Sequence, residues 1–414
     1  MVKPGYKQTE IGVIPEEWEI RFLPFFGDVV SGGTPSTNIS AYWNGAIAWC
    51  TPSDITSTAG TNISDTEKHI TEQGLAKSAA TLLPPGALLL CTRATIGDAK
   101  INSVPMATNQ GFKNVVPNNC NILFLYYLLQ TKKKEMLEKA IGSTFLEISK
   151  SALCSIPLQY PQLSEQNRIA AALSDVDELI ASLGMLIAKK KAIKQGAMQE
   201  LLTGRRRLPG FSGEWAKFNL MRHSRVKARI GWQGLKKSEY LENGYAYLVT
   251  GTDFDDGIVH WSSCHYVDKK RYDADRNIQL KNGDLLVTKD GSLGKTAIVK
   301  ELDIPATLNS GIFVIRPLNE AYYPAFVYYV LSSFIFRDFL DKLSAGSTII
   351  HLYQKDVDQF EFFIPPTIQE QRAIAMALSE MEDEIQSMEQ KLKKARHIKQ
   401  GMMRQLLTGK IRLA

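Results

Sequence analysis

The chain has 414 residues, of which 44% are hydrophobic and 22% are charged, and its formal net charge is +6. A chain of this length allows two or more domains, each with its own core, and its composition excludes extensive disorder. No apolar run approaches the roughly 18 residues that a membrane-spanning helix requires, and the N-terminal segment lacks the apolar core of a signal peptide. We therefore expect a cytoplasmic protein that does not enter a membrane.

The first half of the chain reads as a globular segment followed by a long helix. Short apolar runs such as 46–50 (AIAWC) and 87–92 (ALLLCT) alternate with turn residues, which predicts the strands of a small mixed sheet. A helix is predicted over 122–139. From Ser164 to Gly204 the apolar residues follow a heptad pattern, which predicts one helix of about 40 residues. The predicted fold class is α+β.

The second half follows the same order. Strand-like runs at 245–249, 284–288 and 311–315 precede a helix predicted over 323–343 and a second heptad segment that ends at Gly409. Thr367 and Glu370 form a capping-box pattern, and Ser164 is a candidate cap for the first helix. The heptad a and d positions are Ile169, Ala172, Val176, Leu179, Leu183, Leu186, Ile193 and Ala197, then Ile374, Ala377, Met381, Met388, Ala395, Ile398 and Met402. Because neither stripe is apolar all round, the two helices are expected to pack against each other.

These parallels amount to an internal repeat. The segment KQGAMQELLTG at 194–204 returns as KQGMMRQLLTG at 399–409, and FLYYLL at 124–129 returns as FVYYVL at 326–331. Trp18 has its counterpart in Trp215. Many matches in the same order indicate two half-chains with one plan. Two similar globular segments held apart by stiff helices of about 60 Å fit a partner that is itself long and repetitive.

The segment LLVTKDGSLGKTAIV at 285–299 looks like a phosphate-binding loop but fails the pattern. Lys289 stands where the first glycine is required, and residues 297–299 read as a strand rather than a helix. Its counterpart at 88–101 has Asp98 in the place of Lys295. We therefore predict neither an ATP site nor another cofactor.

Metal binding and disulfides are also unexpected. The five cysteines are an odd number, lie far apart and include no C-x-x-C pair, which is typical of reduced thiols. His260, Cys264 and His265 are close in sequence, but no fourth ligand follows at the spacing of a zinc site.

Several motifs together resemble the DNA specificity subunit of type I restriction-modification systems. They are YKQTEIGVIPEEWE at 6–19, SGGTPS at 31–36, SEQNRI at 164–169 with QEQRAI at 369–374, and the paired KQG-x-M-x-x-LLTG segments. The resemblance covers essentially the whole chain. It implies that residues 1–158 and 205–364 are target recognition domains, each reading one half of a bipartite site in double-stranded DNA.

The resemblance also implies roles for the helical segments. Residues 159–204 and 365–414 would form an antiparallel coiled coil that sets the gap between the half-sites. They would dock two adenine methyltransferase subunits, which in turn recruit restriction subunits. The chain itself would not be catalytic, and it contains no Asn/Asp-Pro-Pro-aromatic tetrad of a methyltransferase acting on a base amino group.

Polar residues in the loops are the candidates for DNA contact, because hydrogen-bonding side chains read base edges and phosphates. In the first segment they are Thr34, Thr51, Ser53, Asp54, Arg93, Thr95, Asn109 and Gln110, and in the second they are Thr250, Thr252, Asp253, Lys289, Ser292, Lys295, Asn309 and Ser310. Recurring residues such as Asp54 and Asp253, or Asn109 and Asn309, equally fit turns that hold the fold. Positions that differ between the copies are better candidates for reading sequence.

Other features have two readings each. The Gly-Ser-Thr segments at 142–144 and 346–348 would bind a phosphate or simply turn the chain. The basic runs at 189–191, 205–207 and 393–394 would be solvated or would act electrostatically on DNA or a partner. Gly196 and Gly401 would allow close approach of another backbone or only tolerate a kink. Alternative functions are a specificity subunit of a related methylation or phage-defence system, and a coiled-coil protein scaffold.

Overall fold

A computed structural model describes residues 2–142, 146–230, 234–344 and 351–413. The chain divides into two compact units, one made of Met1–Leu186 with Met388–Ala414 and the other of Ile187–Ser387. Each unit thus contains one globular head and a part of both long helices. Among the described residues, no helix combines the length and apolarity needed to cross a membrane.

The first half of the chain contains twelve of the strands and seven of the α-helices of the described residues. Its strands are β1 (Tyr6–Thr9), β2 (Gly12–Pro15), β3 (Glu19–Phe22), β4 (Gly27–Ser31), β5 (Trp43–Cys50), β6 (Asn62–Ile63), β7 (His69–Ile70), β8 (Leu88–Leu90), β9 (Ala99–Asn102), β10 (Met106–Thr108), β11 (Lys113–Pro117) and β12 (Pro157–Tyr160). Its helices are α1 (Leu23–Phe26), α2 (Pro52–Ser57), α3 (Glu72–Ala76), α4 (Ile122–Thr131), α5 (Lys133–Glu138), α6 (Lys150–Cys154) and α7 (Leu163–Leu201).

The second half follows with eleven strands and five α-helices among the described residues. The strands are β13 (Ala216–Asn219), β14 (Ser224–Lys227), β15 (Ala246–Val249), β16 (Phe254–Asp255), β17 (Ile258–Val259), β18 (His265–Val267), β19 (Leu285–Thr288), β20 (Thr296–Ile298), β21 (Ala306–Leu308), β22 (Ile312–Pro317) and β23 (Glu361–Ile364). The helices are α8 (Lys269–Asp273), α9 (Pro324–Leu331), α10 (Phe334–Ser344), α11 (Gln354–Val357) and α12 (Ile368–Leu406).

The sheets of the two heads share one core topology, to which the first head adds a fifth strand, β6, in its larger sheet. The larger sheet has the order β4-β11-β8-β9-β6 in the first head and β14-β22-β19-β20 in the second. The smaller sheet has the order β10-β5-β7 or β21-β15-β18, with a parallel pair beside an antiparallel one in each case. The predicted α+β fold class and its internal repeat are confirmed.

Both predicted head helices break in two. The helix predicted over 122–139 is α4 followed by α5, and the one predicted over 323–343 is α9 followed by α10. At each break a hydroxyl donates to a carbonyl three residues earlier, Thr131 to Leu128 at 2.6 Å and Ser333 to Val330 at 2.7 Å. Such side-chain bonds compete with the backbone hydrogen bonds of a helix. Heptad and propensity patterns do not predict them.

The long helices α7 and α12 have 39 residues each. The predicted stops are confirmed, because Gly204 and Gly409 each adopt a φ of 71°, the left-handed conformation that favours glycine after a helix. Thr367 caps α12 by accepting a bond from the Glu370 amide at 3.3 Å. Ser164 is not a cap, since α7 already begins at Leu163.

The heptad prediction identifies only part of the buried helix surface. Ile169 and Ile374 are buried, but Leu179, Ile193 and Ile398 are about half exposed. Other buried residues lie outside the predicted stripe, namely Ala170, Leu173, Ala375, Leu378 and Ile385. In the first unit the start of α7 packs with the end of α12 and with the head in one hydrophobic cluster, and the second unit has the converse arrangement. The helices therefore run antiparallel within each unit, and the head shares in covering them.

A buried carboxylate joins the start of one helix to the segment after the other. In the first unit Glu165 accepts bonds from Arg412 Nε at 2.7 Å and Nη2 at 2.9 Å, and from the Trp18 indole at 2.9 Å. In the second unit Glu370 accepts bonds from Arg207 Nε at 2.5 Å and Nη2 at 2.7 Å. Each guanidinium also lies 5.9 Å from a tryptophan ring. We call these two arrangements the helix clamps.

A second bond set ties each head to both helices. The Tyr127 hydroxyl donates to Asp177 of α7 at 2.8 Å, and Lys399 of α12 pairs with the same carboxylate at 2.6 Å. In the second unit the Tyr329 hydroxyl donates to Glu382 of α12 at 3.1 Å, and Lys194 of α7 pairs with that carboxylate. Burial, and then the acidic partner, raises the pKa of both tyrosines, so both remain proton donors. Lys194 and Lys399 are the lysines of the repeated KQG motif.

The helix clamps predict a large stability loss when their carboxylate is neutralised. Glu165→Gln leaves the Arg412 guanidinium without its buried counter-charge, and we expect the free energy of unfolding to fall by about 3 kcal/mol. Glu17→Gln is the matched control, because Glu17 contacts the same arginine at 2.9 Å but its side chain is 67% exposed. Its loss should be under about 1 kcal/mol. Denaturation followed by circular dichroism measures both, and equal losses would contradict the structural role of the clamp.

Candidate nucleic-acid interface

The candidate loops of the first head meet at one end of its sheets. The parallel pair β5–β10 aligns Cys50 with Thr108, and the Asn109 amide donates to the Cys50 carbonyl at 3.0 Å. The Thr92 amide donates to the Gly111 carbonyl at 2.8 Å, which adds the loop after β8. The Gly33 amide donates to Thr108 at 2.9 Å, which adds the loop after β4. We call this convergence of loops the loop edge of the head.

The second head has an equivalent loop edge. The pair β15–β21 aligns Val249 with Leu308, and the Asn309 amide donates to the Val249 carbonyl at 2.9 Å. The Lys289 amide donates to the Gly311 carbonyl at 2.9 Å. The loops at 250–253, 289–295 and 309–311 therefore come together, as residues distant in sequence must if they are to act as one surface.

The candidate side chains differ in how far they face solvent. Thr34, Ser53, Gln110, Thr252 and Ser292 are exposed; Thr51, Arg93, Thr95, Asn109, Thr250, Lys289, Lys295, Asn309 and Ser310 are half-buried; Asp54 and Asp253 are buried. In the first head the hydroxyl of Thr34 bonds to the side-chain oxygen of Gln110, which links two of its loops.

The two buried aspartates hold their own turns. Asp54 accepts bonds from the Thr51 amide at 2.7 Å and the Thr51 hydroxyl at 2.6 Å, and its other oxygen accepts from the Glu67 amide at 2.9 Å. Asp253 accepts from the Thr250 amide at 2.7 Å and the Thr250 hydroxyl at 2.8 Å. These bonds favour the fold-holding reading of both aspartates over contact with cytosine.

The recurring asparagines shape the loop between the two sheets. Asn109 Oδ1 accepts from the Gly111 amide at 2.8 Å. Asn309 Oδ1 accepts from the Ser310 amide at 2.8 Å, while its amide nitrogen donates to the Tyr240 hydroxyl at 2.8 Å. Their bonds are internal to the loop edge, which again favours a role in holding the fold.

The lysines of the second loop edge are packed against aromatic rings. The Lys289 ammonium lies 5.6 Å from the centre of the Phe313 ring, and the Lys295 ammonium lies 5.6 Å from that of Phe254. Lys295 also donates to the Gly251 carbonyl at 3.3 Å and lies 3.8 Å from Asp255. An aromatic face attracts an ammonium group, and both lysines remain partly exposed, an arrangement suited to an anionic partner.

The segment at 285–299 closes on itself rather than around a phosphate. The amides of Leu293 and Gly294 donate to the carbonyls of Gly291 and Thr288 at 2.9 and 3.0 Å, and the Lys295 amide donates to the Thr288 hydroxyl at 2.9 Å. Amides that are already bonded cannot cradle a phosphate. The strand β20 follows, so the prediction of a strand after this loop is confirmed.

The described residues hold no group of three or more side chains able to bind a metal. Burial raises the pKa of the Cys91 and Cys264 thiols to about 12, so both are protonated at neutral pH and are poor metal ligands.

Of the Gly-Ser-Thr candidates, Ser143, Thr144 and residues 346–348 lie outside the described residues. The basic runs are divided, since Arg207 belongs to a helix clamp and Lys190 pairs with Glu384 at 2.7 Å, whereas Lys189 is exposed.

Sequence reasoning missed the residues beneath the loops and at the helix ends. No pattern in the sequence indicates that Tyr240 is the hydrogen-bond partner of Asn309. The clamp residues did carry one, because Glu165 and Glu370 lie 205 residues apart and so do Arg207 and Arg412. Gly32 is also required, since a Cβ there would lie 1.9 Å from the Asn109 carbonyl oxygen.

Comparison with known proteins places this geometry in one family. The family model described as the type I restriction modification DNA specificity domain matches twice, at residues 15–191 and 234–397. The chain is 30% identical over 383 residues to the type I restriction enzyme MjaIX specificity subunit of Methanocaldococcus jannaschii, which covers 87% of this chain and 86% of that protein. It is 24% identical over 421 residues to the MjaVIII specificity subunit of the same organism, covering 97% and 94%.

A solved structure supports the same fold. The S subunit of a type I restriction-modification system from M. genitalium matches with a TM-score of 0.62 at 16% identity, covering 98% of this chain and 99% of that chain.

The aspartate bonds predict a stability effect at the loop edge. Asp54→Ala removes three accepted bonds, and we expect the free energy of unfolding to fall by about 1–2 kcal/mol, as for other lost helix caps. Ser53→Ala is the control, because Ser53 is exposed on the same turn, and its effect should stay within about 0.5 kcal/mol. Thermal denaturation measures both. Unchanged stability in Asp54→Ala would instead favour a direct DNA contact.

Proposed function

Because the chain belongs to the DNA specificity subunits of type I restriction-modification systems, we propose that each globular segment reads one half of a bipartite DNA target. Residues 1–158 and 205–364 are the two readers. The observation that carries the proposal is the pair of equivalent loop edges, which share a frame but differ in their outward side chains. Gln110 corresponds to Ser310. Arg93 corresponds to Asp290 and not, as the sequence suggests, to Lys289, because the Thr92 and Lys289 amides make the equivalent bonds to Gly111 and Gly311. The two half-sites therefore differ and the target is asymmetric.

The division between frame and outward residues suits DNA recognition. Contacts to phosphates give affinity without sequence information, and contacts to base edges give specificity. Gln110 suits adenine, whereas Arg93, Lys289 and Lys295 suit guanine or a phosphate. The bonded aspartates and asparagines keep these side chains on a rigid support, which a reader needs because base contacts tolerate little displacement.

The helical segments 159–204 and 365–414 act as the spacer in this proposal. A helix of 39 residues is about 58 Å long. One turn of duplex DNA rises about 34–36 Å. A stiff element of this length therefore matches a gap on the scale of one to two DNA turns, and the paired helix clamps support a fixed rather than a variable length.

The helices also carry two equivalent candidate docking positions for methyltransferase subunits. Gly196 and Gly401 lie inside helices and are exposed, and, apart from its chain neighbours and the adjacent backbone of its own helix, a Cβ added to either would meet no described atom within 4 Å. Glycine weakens a helix interior by about 1 kcal/mol relative to alanine, so internal packing gives no reason to keep it. Ile193 and Ile398, three residues earlier in each helix, are about half exposed. These features support one adenine methyltransferase subunit on each position.

In this proposal catalysis belongs to the partners. The methyltransferase subunits modify adenine, and they recruit the restriction subunits that cut unmodified DNA. The specificity subunit determines the DNA sequence and the spacing at which both partners act.

A head exchange tests the two-reader proposal. Replacing residues 27–117 with those of another family member changes the first loop edge but keeps Trp18, Tyr127 and the helix contacts. We expect one half of the methylated motif to change, with the gap and the other half intact. Genome-wide mapping of methylated adenines in a host that expresses the chain with its methyltransferase measures this. A change in both halves, or in neither, would refute the two-reader proposal.

Salt dependence tests the lysines. If Lys289 or Lys295 contacts a phosphate, replacing it with alanine should weaken binding uniformly across sequences and reduce the salt slope by about 1. If it contacts a base, the sequence preference at the second half-site should weaken and the salt dependence of binding should stay unchanged. Lys300→Ala is the control, because Lys300 is exposed beyond β20. Binding of the reconstituted methyltransferase complex to duplex DNA is the measurement, and a flat salt response without a preferred sequence would favour the protein-scaffold alternative.

A further inference from the structure

Arg229 is a buried arginine directly beneath the second loop edge. It follows β14 by two residues and is only 2% exposed. Its Nε donates to the Leu308 carbonyl at 2.8 Å, and its Nη2 donates to the Thr307 hydroxyl at 3.2 Å. Leu308 is the last residue of β21, and Asn309 and Ser310 follow it. The guanidinium is therefore attached to the strand end from which the loop emerges.

The charge of this arginine is not matched by a carboxylate. Among the described residues no acidic side chain forms an ion pair with it, and its Nη1 is buried without a hydrogen-bond partner. Arg271, which is nearby, is itself paired with Glu239. Burial, followed by the like charge of Arg271, lowers the pKa of Arg229, while Asp275 opposes this. A buried cation without a counter-ion is costly, which calls for a reason outside the packing of the head.

The first head has no side chain at the equivalent position. Gly27 pairs with Pro117 and Ser224 pairs with Pro317, so the residue equivalent to Arg229 is Gly32. The amide of the next residue, Gly33, donates to the Thr108 carbonyl at 2.9 Å in place of the guanidinium bond. A Cβ on Gly32 would clash with the Asn109 carbonyl oxygen. The arginine is therefore a feature of the second reader alone rather than a requirement of the shared fold.

We infer that Arg229 is a positioning residue that determines the specificity of the second reader. The two hydrogen bonds of its guanidinium fix the end of β21 and thereby position Asn309 and Ser310. Its unmatched charge attracts a DNA phosphate toward the loop edge. This inference rests on the proposed reading role of residues 205–364. It adds a residue that touches no base and acts through the loop above it.

Two substitutions distinguish the two-point hydrogen-bonded attachment of Arg229 from its positive charge. Arg229→Lys keeps the charge but loses the two-point attachment, and Arg229→Met loses both. Arg225→Met is the control, because Arg225 is an exposed arginine on the adjoining strand β14. Each variant is assembled with methyltransferase subunits, and its affinity is measured at two salt concentrations for duplexes with single mismatches in either half-site.

We expect Arg229→Lys to keep its affinity for the full target within about threefold and to lose about tenfold of its discrimination against mismatches in the second half-site, the scale of a misplaced base contact. The first half-site should be unaffected. Arg229→Met should also bind more weakly and with a smaller salt dependence, and Arg225→Met should behave like the wild type.

The outcomes separate the inference from its premise. Wild-type discrimination in Arg229→Lys would overturn the inference, and so would equal loss of discrimination in both half-sites. If Arg229→Met is too unstable to assemble, Arg229→Lys alone tests the positioning role, because it retains the charge and most of the side-chain volume. A wild-type complex that shows no two-part target would instead refute the reading role on which the inference rests.

Discussion

The fold depends on a buried carboxylate at the start of each long helix. Glu165 and Glu370 are almost fully buried, and a buried carboxylate is tolerated only with a matched counter-charge and hydrogen bonds. The chain supplies that charge from the segment after the other helix, as Arg412 and Arg207. The first unit is therefore incomplete until the end of the chain has returned to it. This requirement fixes the antiparallel sense of the helices within each unit.

The clamps also explain why stability and recognition are carried by different residues. The clamp residues and the Tyr127 and Tyr329 links lie within the helix ends and the head helices, and none of the candidate loop residues takes part in them. Substitutions at exposed loop positions usually change stability by less than about 0.5 kcal/mol, whereas loss of a buried ion-pair partner costs several times more. Outward side chains can therefore differ between the two heads while the clamps and the Tyr127 and Tyr329 links stay the same. The shared Asp54 and Asp253 turns and the divergent Gln110 and Ser310 positions show this division at residue level.

The sequence predicted the parts of the fold that depend on local pattern. The repeat, the α+β heads, the two long helices, their glycine stops and the strand after the 285–295 loop follow from periodicity and turn chemistry. The breaks after α4 and α9 were missed because they depend on side-chain bonds such as Ser333 to Val330, which any serine in a helix can make or avoid. The heptad stripe was only partly right, since Leu173 and Leu378 are covered by a head that no heptad rule includes. The clamps were missed because their partners lie up to 247 residues apart, and Arg207 looked like one member of a basic run.

The two heads differ beneath their loops as well as at the surface. At equivalent positions beyond β4 and β14, Gly32 contributes no side chain, whereas Arg229 contributes a buried guanidinium that bonds to the strand end. The close approach of the Asn109 carbonyl leaves no room for a side chain in the first head, while the second head accommodates the largest cationic one. A duplicated frame thus permits the support of a loop to diverge, because a change at this depth alters the placement of neighbouring polar groups without touching the clamps. Specificity in such a frame is set by the outward side chains together with the buried groups that aim them.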